Sequence, residues 1–133
     1  RKQCALDRAR PKRSSAVESA VDVARQNASA NGIEGRWLAG KVEDVLAELD
    51  IDGPRHVIVD PPRAGLHPKV AQYLAGYAAD RLVYVACSPA SLARDREVLE
   101  SGGWRLEGLW TIDLFPQTPH VEAVARFTKD LTG

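Results

Sequence analysis

The stretch His56-Val57-Ile58-Val59-Asp60-Pro61-Pro62-Arg63-Ala64-Gly65-Leu66 decides the fold of this chain. Its first four residues are mostly β-branched and apolar, which suits a short strand covered on both faces. Asp60 precedes a proline and is pushed toward an extended conformation, and Pro61-Pro62 cannot continue a ladder. The outcome is a carboxylate held at the carboxyl end of a strand, the edge where open α/β sheets bind their ligands. A polar turn closing a core strand is the plain alternative, and this stretch alone leaves both open.

Outward from that strand, the chain alternates. Upstream, Ser15-Ala16-Val17-Glu18 is a capping-box pattern. Val17, Ala20, Val21, Ala24 and Ala28 follow at helical spacing, so a helix is expected from about Ser15 to Asn31, stopped by Gly32. Trp37-Leu38-Ala39 reads as a short strand. Val42 to Leu49 reads as a helix closed by the Asp52-Gly53-Pro54 turn. Downstream, Pro68 opens a helix reaching about Ala79, with Val70, Leu74 and Ala78 facing inward. Leu82 to Ala86 is a second apolar strand ending at Cys87-Ser88-Pro89. A helix to Glu100 stops at Gly102-Gly103, and two strands follow, Trp104 to Asp113 and Val121 to Phe127.

Strand, helix, strand, helix, strand predicts parallel βαβ units with right-handed crossovers. The connection from Asp113 to Val121 is too short for a crossover helix, so the last two strands are expected to be antiparallel. Three strand ends then fall on one rim: Asp60, Cys87, and Glu122 at the start of the final, reversed strand. A thiol followed by Ser-Pro and a helix lies near a helix N-terminus, where the thiolate is favoured. The other reading of Cys87 is a small buried hydrophobe. Glu122, between Val121 and Ala123, is either an outward-facing acid or one kept for proton transfer.

Composition narrows the class. The chain has 133 residues, 44% hydrophobic and 27% charged, as in one soluble globular domain or a piece of a larger one. Lys+Arg and Asp+Glu balance at 18 each, so no overall basic field advertises a nucleic-acid partner. Residues 1–13 nevertheless concentrate Arg1, Lys2, Arg8, Arg10, Lys12 and Arg13 against Asp7 alone, which reads as a solvated, poorly ordered tail. No apolar run approaches a membrane span, and no apolar core follows the basic start as in a secretory signal. Two cysteines, Cys4 and Cys87, make no disulfide framework, and a reducing cytoplasm is the expected compartment. No metal ligand set is visible.

Three motifs together carry a resemblance. Asp60-Pro61-Pro62-Arg63-Ala64-Gly65-Leu66, then Tyr84-Val85-Ala86-Cys87-Ser88-Pro89-Ala90-Ser91-Leu92-Ala93-Arg94-Asp95, then Asp113-Leu114-Phe115-Pro116-Gln117-Thr118-Pro119-His120-Val121-Glu122 resemble, in order and spacing, the RNA 5-methyluridine (uracil-C5) methyltransferases of tRNA and ribosomal RNA. The helix from Ala24 to Ile33 is also similar, so the resemblance covers about residues 15–133. It implies a Rossmann-like α/β fold, a mostly parallel sheet with a C-terminal antiparallel hairpin, and S-adenosyl-L-methionine as cofactor. It implies an RNA substrate, Cys87 as the nucleophile that adds to C6 of uracil, and Glu122 as the base that removes the C5 proton. Asp60 matches the acid beside cofactor and target base, while Pro61, Arg63 and His120 match pocket neighbours.

The departures are as informative. Ser88 stands where the family more often has asparagine. Residues 1–14 hold neither glycine nor an apolar strand, whereas the family opens this domain with a glycine-rich cofactor turn and a second strand ending in an acid. The expectation is therefore a partial methyltransferase domain, residues 15–133, lacking its first two strands and behind a basic tail, residues 1–14. Such a chain would bind cofactor weakly or not at all, and its open sheet edges would invite self-association. Two other readings stay open: an inactive remnant or RNA-binding module, and a methyltransferase of nucleobase amines, whose motif also contains Asp-Pro-Pro but which has no need of Cys87.

Overall fold

A computed structural model describes residues 15–46, 56–114, 116–118 and 121–129, which fall into two compact units divided between Leu49 and Asp50. The basic run of residues 1–13, the Asp52-Gly53-Pro54 turn and His120 lie outside the described residues.

In the first unit, helix α1 (Ser15–Ala30) forms where the spacing predicts it. It ends as expected at Gly32, whose φ of 65° lies in the left-handed region, while the Ile33 N–H donates to the Ala28 carbonyl at 2.8 Å. Ala28 is buried and Val21 and Ala24 are half-buried, but Ala20 is exposed. Helix α2 (Val42–Val45) is a single turn. The strand expected at Trp37–Ala39 is absent: residues 33–39 form no strand. Apolar composition suits a strand, but a strand exists only against a ladder partner, and among the described residues Trp37–Ala39 has none.

The second unit is built on four strands: β1 (His56–Val59), β2 (Arg81–Ala86), β3 (Trp104–Ile112) and β4 (Glu122–Lys129), in the order β1-β2-β4-β3. β1 and β2 are parallel, with His56 opposite Arg81 and Val59 opposite Tyr84. β4 runs antiparallel to both neighbours. Three strands thus point one way, as the βαβ reading requires. The sheet is mixed rather than mostly parallel pair by pair, because the hairpin's return strand inserts between β2 and β3 and pairs with both.

Helix α3 (Pro68–Gly76) starts on Pro68, and the His67 Nδ1 accepts the Lys69 N–H at 3.3 Å. It ends earlier than the spacing suggests. Tyr77 is already extended (φ −73°, ψ 132°), so Ala78 is exposed and Ala79 takes the inward place. The last carbonyls of α3 find donors elsewhere: Trp104 Nε1–H donates to the Leu74 carbonyl at 2.8 Å, and Lys129 Nζ donates to the Ala75 carbonyl at 2.7 Å. Helix α4 (Pro89–Ser101) begins on Pro89 behind the Ser88 cap and ends at Gly102. A Cβ on Gly102 would collide with the backbone of Ala75, so this close approach of α4 to the end of α3 requires glycine.

Alternation along the strands sets two unlike faces. Leu82, Tyr84, Ala86, Ala123, Ala125 and Phe127 are buried on one face, in the core with Val70, Leu74 and Leu99 of the helices. On the other, Ile58 is 75% exposed and Trp110 and Ile112 are exposed too. β1 pairs on one side only among the described residues.

Candidate active site at the carboxyl edge of the sheet

Parallel β1 and β2 end at the same edge, and antiparallel β4 begins there. The expected gathering of strand ends is therefore present. β2 lies in the middle, with the strand that ends before Asp60 on one side and the strand that starts at Glu122 on the other. The final pair of the β2–β4 ladder is Ala86 opposite Ala123, so a continuation by one residue sets Cys87 opposite Glu122. Directly opposed residues of such a ladder lie roughly 4.5–5.5 Å apart at Cα. Glu122 is paired with Ile112 of β3. Cys87 is a free thiol, half-buried, and Glu122 is half-buried.

The thiol turn is short because α4 starts at once. Ser88 is extended (φ −137°), its Oγ accepts the Ser91 N–H at 3.4 Å, and Ser91 Oγ–H donates back to the Ser88 carbonyl at 2.9 Å. Cys87 therefore sits between the last residue of a strand and the cap of a helix, with little freedom.

Asp60 is exposed just past β1. Pro61 is half-buried and Arg63 exposed. Beyond them, the Gly65 N–H donates to the Pro62 carbonyl at 2.7 Å, closing a turn across Arg63-Ala64. Gly65 has φ 85°. A Cβ there would crowd Arg94 and lie 2.6 Å from Asp95 Oδ2.

That crowding reveals what the sequence reading missed. Asp95 is 2% exposed, yet its carboxylate is well partnered. Its Oδ2 accepts from the Leu66 N–H at 2.7 Å and from the Tyr84 O–H at 2.6 Å. Its Oδ1 accepts from Arg94 Nε at 3.0 Å and Nη2 at 2.8 Å, and Arg94 Nη2 also donates to the Ala64 carbonyl at 2.7 Å. Burial, then the hydrogen bond and charge of Asp95, push the Tyr84 hydroxyl well above its ordinary value of 10.0. The available signal was an acid in the middle of an otherwise inward stripe of α4: Leu92, Asp95 and Leu99 share one face and are all buried.

Among the described residues no helix is long and apolar enough to cross a membrane. No group of three or more His, Cys, Asp or Glu among them is placed to hold a metal ion. An open hollow of about 530 Å³ lies within the first unit, lined by residues including Arg25, Ile33 and Trp37, and contains none of the three rim residues.

Comparison with known proteins gives this rim a family. The model of the family described as tRNA (uracil-5-)-methyltransferase matches residues 41–129. An uncharacterised RNA methyltransferase of Gloeobacter violaceus is 51% identical over 106 residues, covering 79% of this chain and 22% of that protein. One from Streptomyces coelicolor is 47% identical, covering 80% of this chain and 23% of its own length. Among solved structures, Pyrococcus abyssi tRNA (uracil-54, C5)-methyltransferase, crystallised with S-adenosyl-L-homocysteine, matches with a TM-score of 0.71 and 37% identity. That match covers 84% of this chain and 26% of the archaeal one. The chain spans about a quarter of the length of the relatives it matches.

Proposed function

The chain belongs to the tRNA (uracil-5-)-methyltransferase family, and we propose that its sheet edge performs methyl transfer to C5 of a uridine in tRNA or ribosomal RNA. The observation that carries this reading is the ladder register, whose last pair, Ala86 opposite Ala123, is flanked by Cys87 on one strand and Glu122 on the other.

Uracil C5 is a poor nucleophile until its conjugation is broken. The Cys87 thiolate adds to C6, and the C5=C6 electron pair moves into the C4 carbonyl as an enolate whose C5 can attack an electrophile. S-adenosyl-L-methionine is the cofactor of this reading and would supply the methyl group to C5, its methyl–sulfur bond breaking with the electron pair left on a sulfur that becomes neutral. Once C5 carries the methyl group, the Glu122 carboxylate takes the remaining C5 proton. The C5–H electron pair then re-forms the double bond as the C6–S bond breaks and the thiolate returns. The strand-to-helix turn at Cys87 and the pairing of Glu122 with Ile112 support this reading, since both anchor the backbone from which thiol and carboxylate would reach adjacent ring carbons.

For such a cofactor the rim offers the exposed Asp60 carboxylate, which suits a hydroxyl or ammonium group. Pro61 stiffens the approach, and Arg63 is assigned to the walls around the target base. The base must leave its stack to reach a thiol at the edge of a sheet.

Covalent trapping tests this. RNA carrying 5-fluorouridine, incubated with S-adenosyl-L-methionine and with the chain completed to the length of its relatives, cannot lose fluorine to Glu122, so the protein is expected to stay bonded to C6. The adduct should vanish in Cys87→Ala and persist in Glu122→Gln. Absence of an adduct with the completed chain, or one that survives Cys87→Ala, would overturn the proposal.

A further inference from the structure

We propose that Asp95 is a positioning residue: its buried carboxylate, with Tyr84 and Arg94, holds the Asp60–Leu66 loop in place relative to the Cys87 turn. The proposal rests on the reading that Asp60 and Cys87 serve one reaction.

A buried carboxylate is costly unless paired, and an apolar side chain of similar size is often as good or better for stability. Packing alone therefore does not account for an acid at position 95. What an acid does there, and a leucine could not, is accept hydrogen bonds from several directions. An ionised carboxylate has about four acceptor positions. Asp95 receives one N–H from the loop after β1 (Leu66), one O–H from β2 (Tyr84) and two N–H groups from Arg94 on its own helix. Three elements meet on one group.

The grip on the loop is double. Leu66 is tied through its N–H to Asp95, and Ala64 through its carbonyl to Arg94. Gly65, between them, is the residue whose missing side chain lets the two partners come this close. From Gly65 the constraint passes to Pro62 through the hydrogen bond of 2.7 Å. Pro61 and Pro62 then relay it to Asp60 with φ fixed at both positions. At the other end, Asp95 and Arg94 stand on the helix whose cap, Ser88, follows Cys87 directly. One carboxylate thus sets the distance between the acid-bearing loop and the thiol-bearing turn, and a displacement of about 1 Å at such a site can cost roughly 100-fold in rate.

Hydrogen–deuterium exchange of the whole chain, read by peptide mass, tests the grip without any ligand. In Asp95→Asn the Gly65 and Leu66 amides are expected to exchange at least tenfold faster, while the β2 and β4 amides stay within twofold of the native chain. Tyr84→Phe and Arg94→Gln each remove fewer bonds and should give the same pattern at smaller size, which decides the matter if Asp95→Asn does not fold. Trapping by 5-fluorouridine RNA should slow about tenfold or more in these variants, with the final amount of adduct unchanged. Unchanged loop exchange, or faster exchange spread evenly over the sheet, would overturn the positioning role. A completed chain that is never trapped would instead overturn the uridine reading, and loop exchange would still decide the role of Asp95.

Discussion

Two connections bring residues of interest to the same sheet edge, and they are held in opposite ways. The loop from Asp60 to Leu66 is fastened from behind by a buried carboxylate about thirty residues away in sequence, with Gly65 and Leu66 themselves buried. Among the described residues of the connection from Asp113 to Val121, none is buried. Asp113, Leu114, Pro116, Gln117, Thr118 and Val121 are all exposed, and Gln117 adopts a φ of 68°, which costs a residue other than glycine some strain. Glu122 is nonetheless well placed, because it is the first residue of a strand paired on both sides. One motif is positioned by side-chain hydrogen bonds, the other by register.

The largest expected effects concern chemistry. Cys87→Ala should remove trapping altogether. Glu122→Gln should leave trapping in place but reduce proton removal from C5 by about 10²–10⁴-fold, the usual worth of a general base. Both are read by gel mobility of the RNA adduct and by release of the C5 hydrogen.

Stability should separate the two connections next. Asp95→Ala strands the Tyr84 hydroxyl and the Leu66 N–H in the interior, and should cost about 3–5 kcal/mol in urea unfolding. Asp113→Ala, on the exposed connection, should fall within roughly 0.5 kcal/mol of native. Equal losses would erase the contrast between them.

The pH dependence should be specific to the fastened loop. Folding raises the Tyr84 hydroxyl above its unfolded value of 10.0, so the folded state keeps a proton that the unfolded state releases. The stabilisation is complete below pH 10 and is lost as pH rises toward the folded value, at about 1.4 kcal/mol per pH unit. Comparison of native chain and Tyr84→Phe between pH 9 and 11 should show the extra slope in the native chain only. Smallest of all, Gln117→Gly relieves the left-handed backbone and should raise stability by at most about 1 kcal/mol.

The fold was legible where local pattern and connection length agree. Apolar strands bounded by Asp60 and Cys87, and a connection too short for a helix before Glu122, suffice to put three strand ends on one rim. The insertion of β4 between β2 and β3 was not legible, since a hairpin's return strand can pair on its free side with any strand left open. Trp37–Ala39 misled because its composition carries no information about a partner. Ala78 misled because α3 unwinds at Tyr77, where the remote Trp104 and Lys129 add donors to the last carbonyls. Asp95 went unread for a related reason. An acid on a helix is normally solvated, and only the tertiary meeting of Leu66, Tyr84 and Arg94 makes this one an anchor.

The central claim is that Cys87 and Glu122 act on the two carbons of one uracil double bond, and hydrogen exchange at C5 tests it most directly. Reversible addition of the thiolate to C6, with Glu122 carrying protons to and from C5, replaces the C5 hydrogen by solvent deuterium without any methyl transfer. Incubation of uridine-containing tRNA with the chain in deuterium oxide, followed by mass analysis of the nucleosides, is predicted to show one deuterium at C5 of a specific uridine. The exchange should disappear in Cys87→Ala and slow strongly in Glu122→Gln. No exchange above the protein-free rate, or exchange indifferent to both substitutions, would contradict the account.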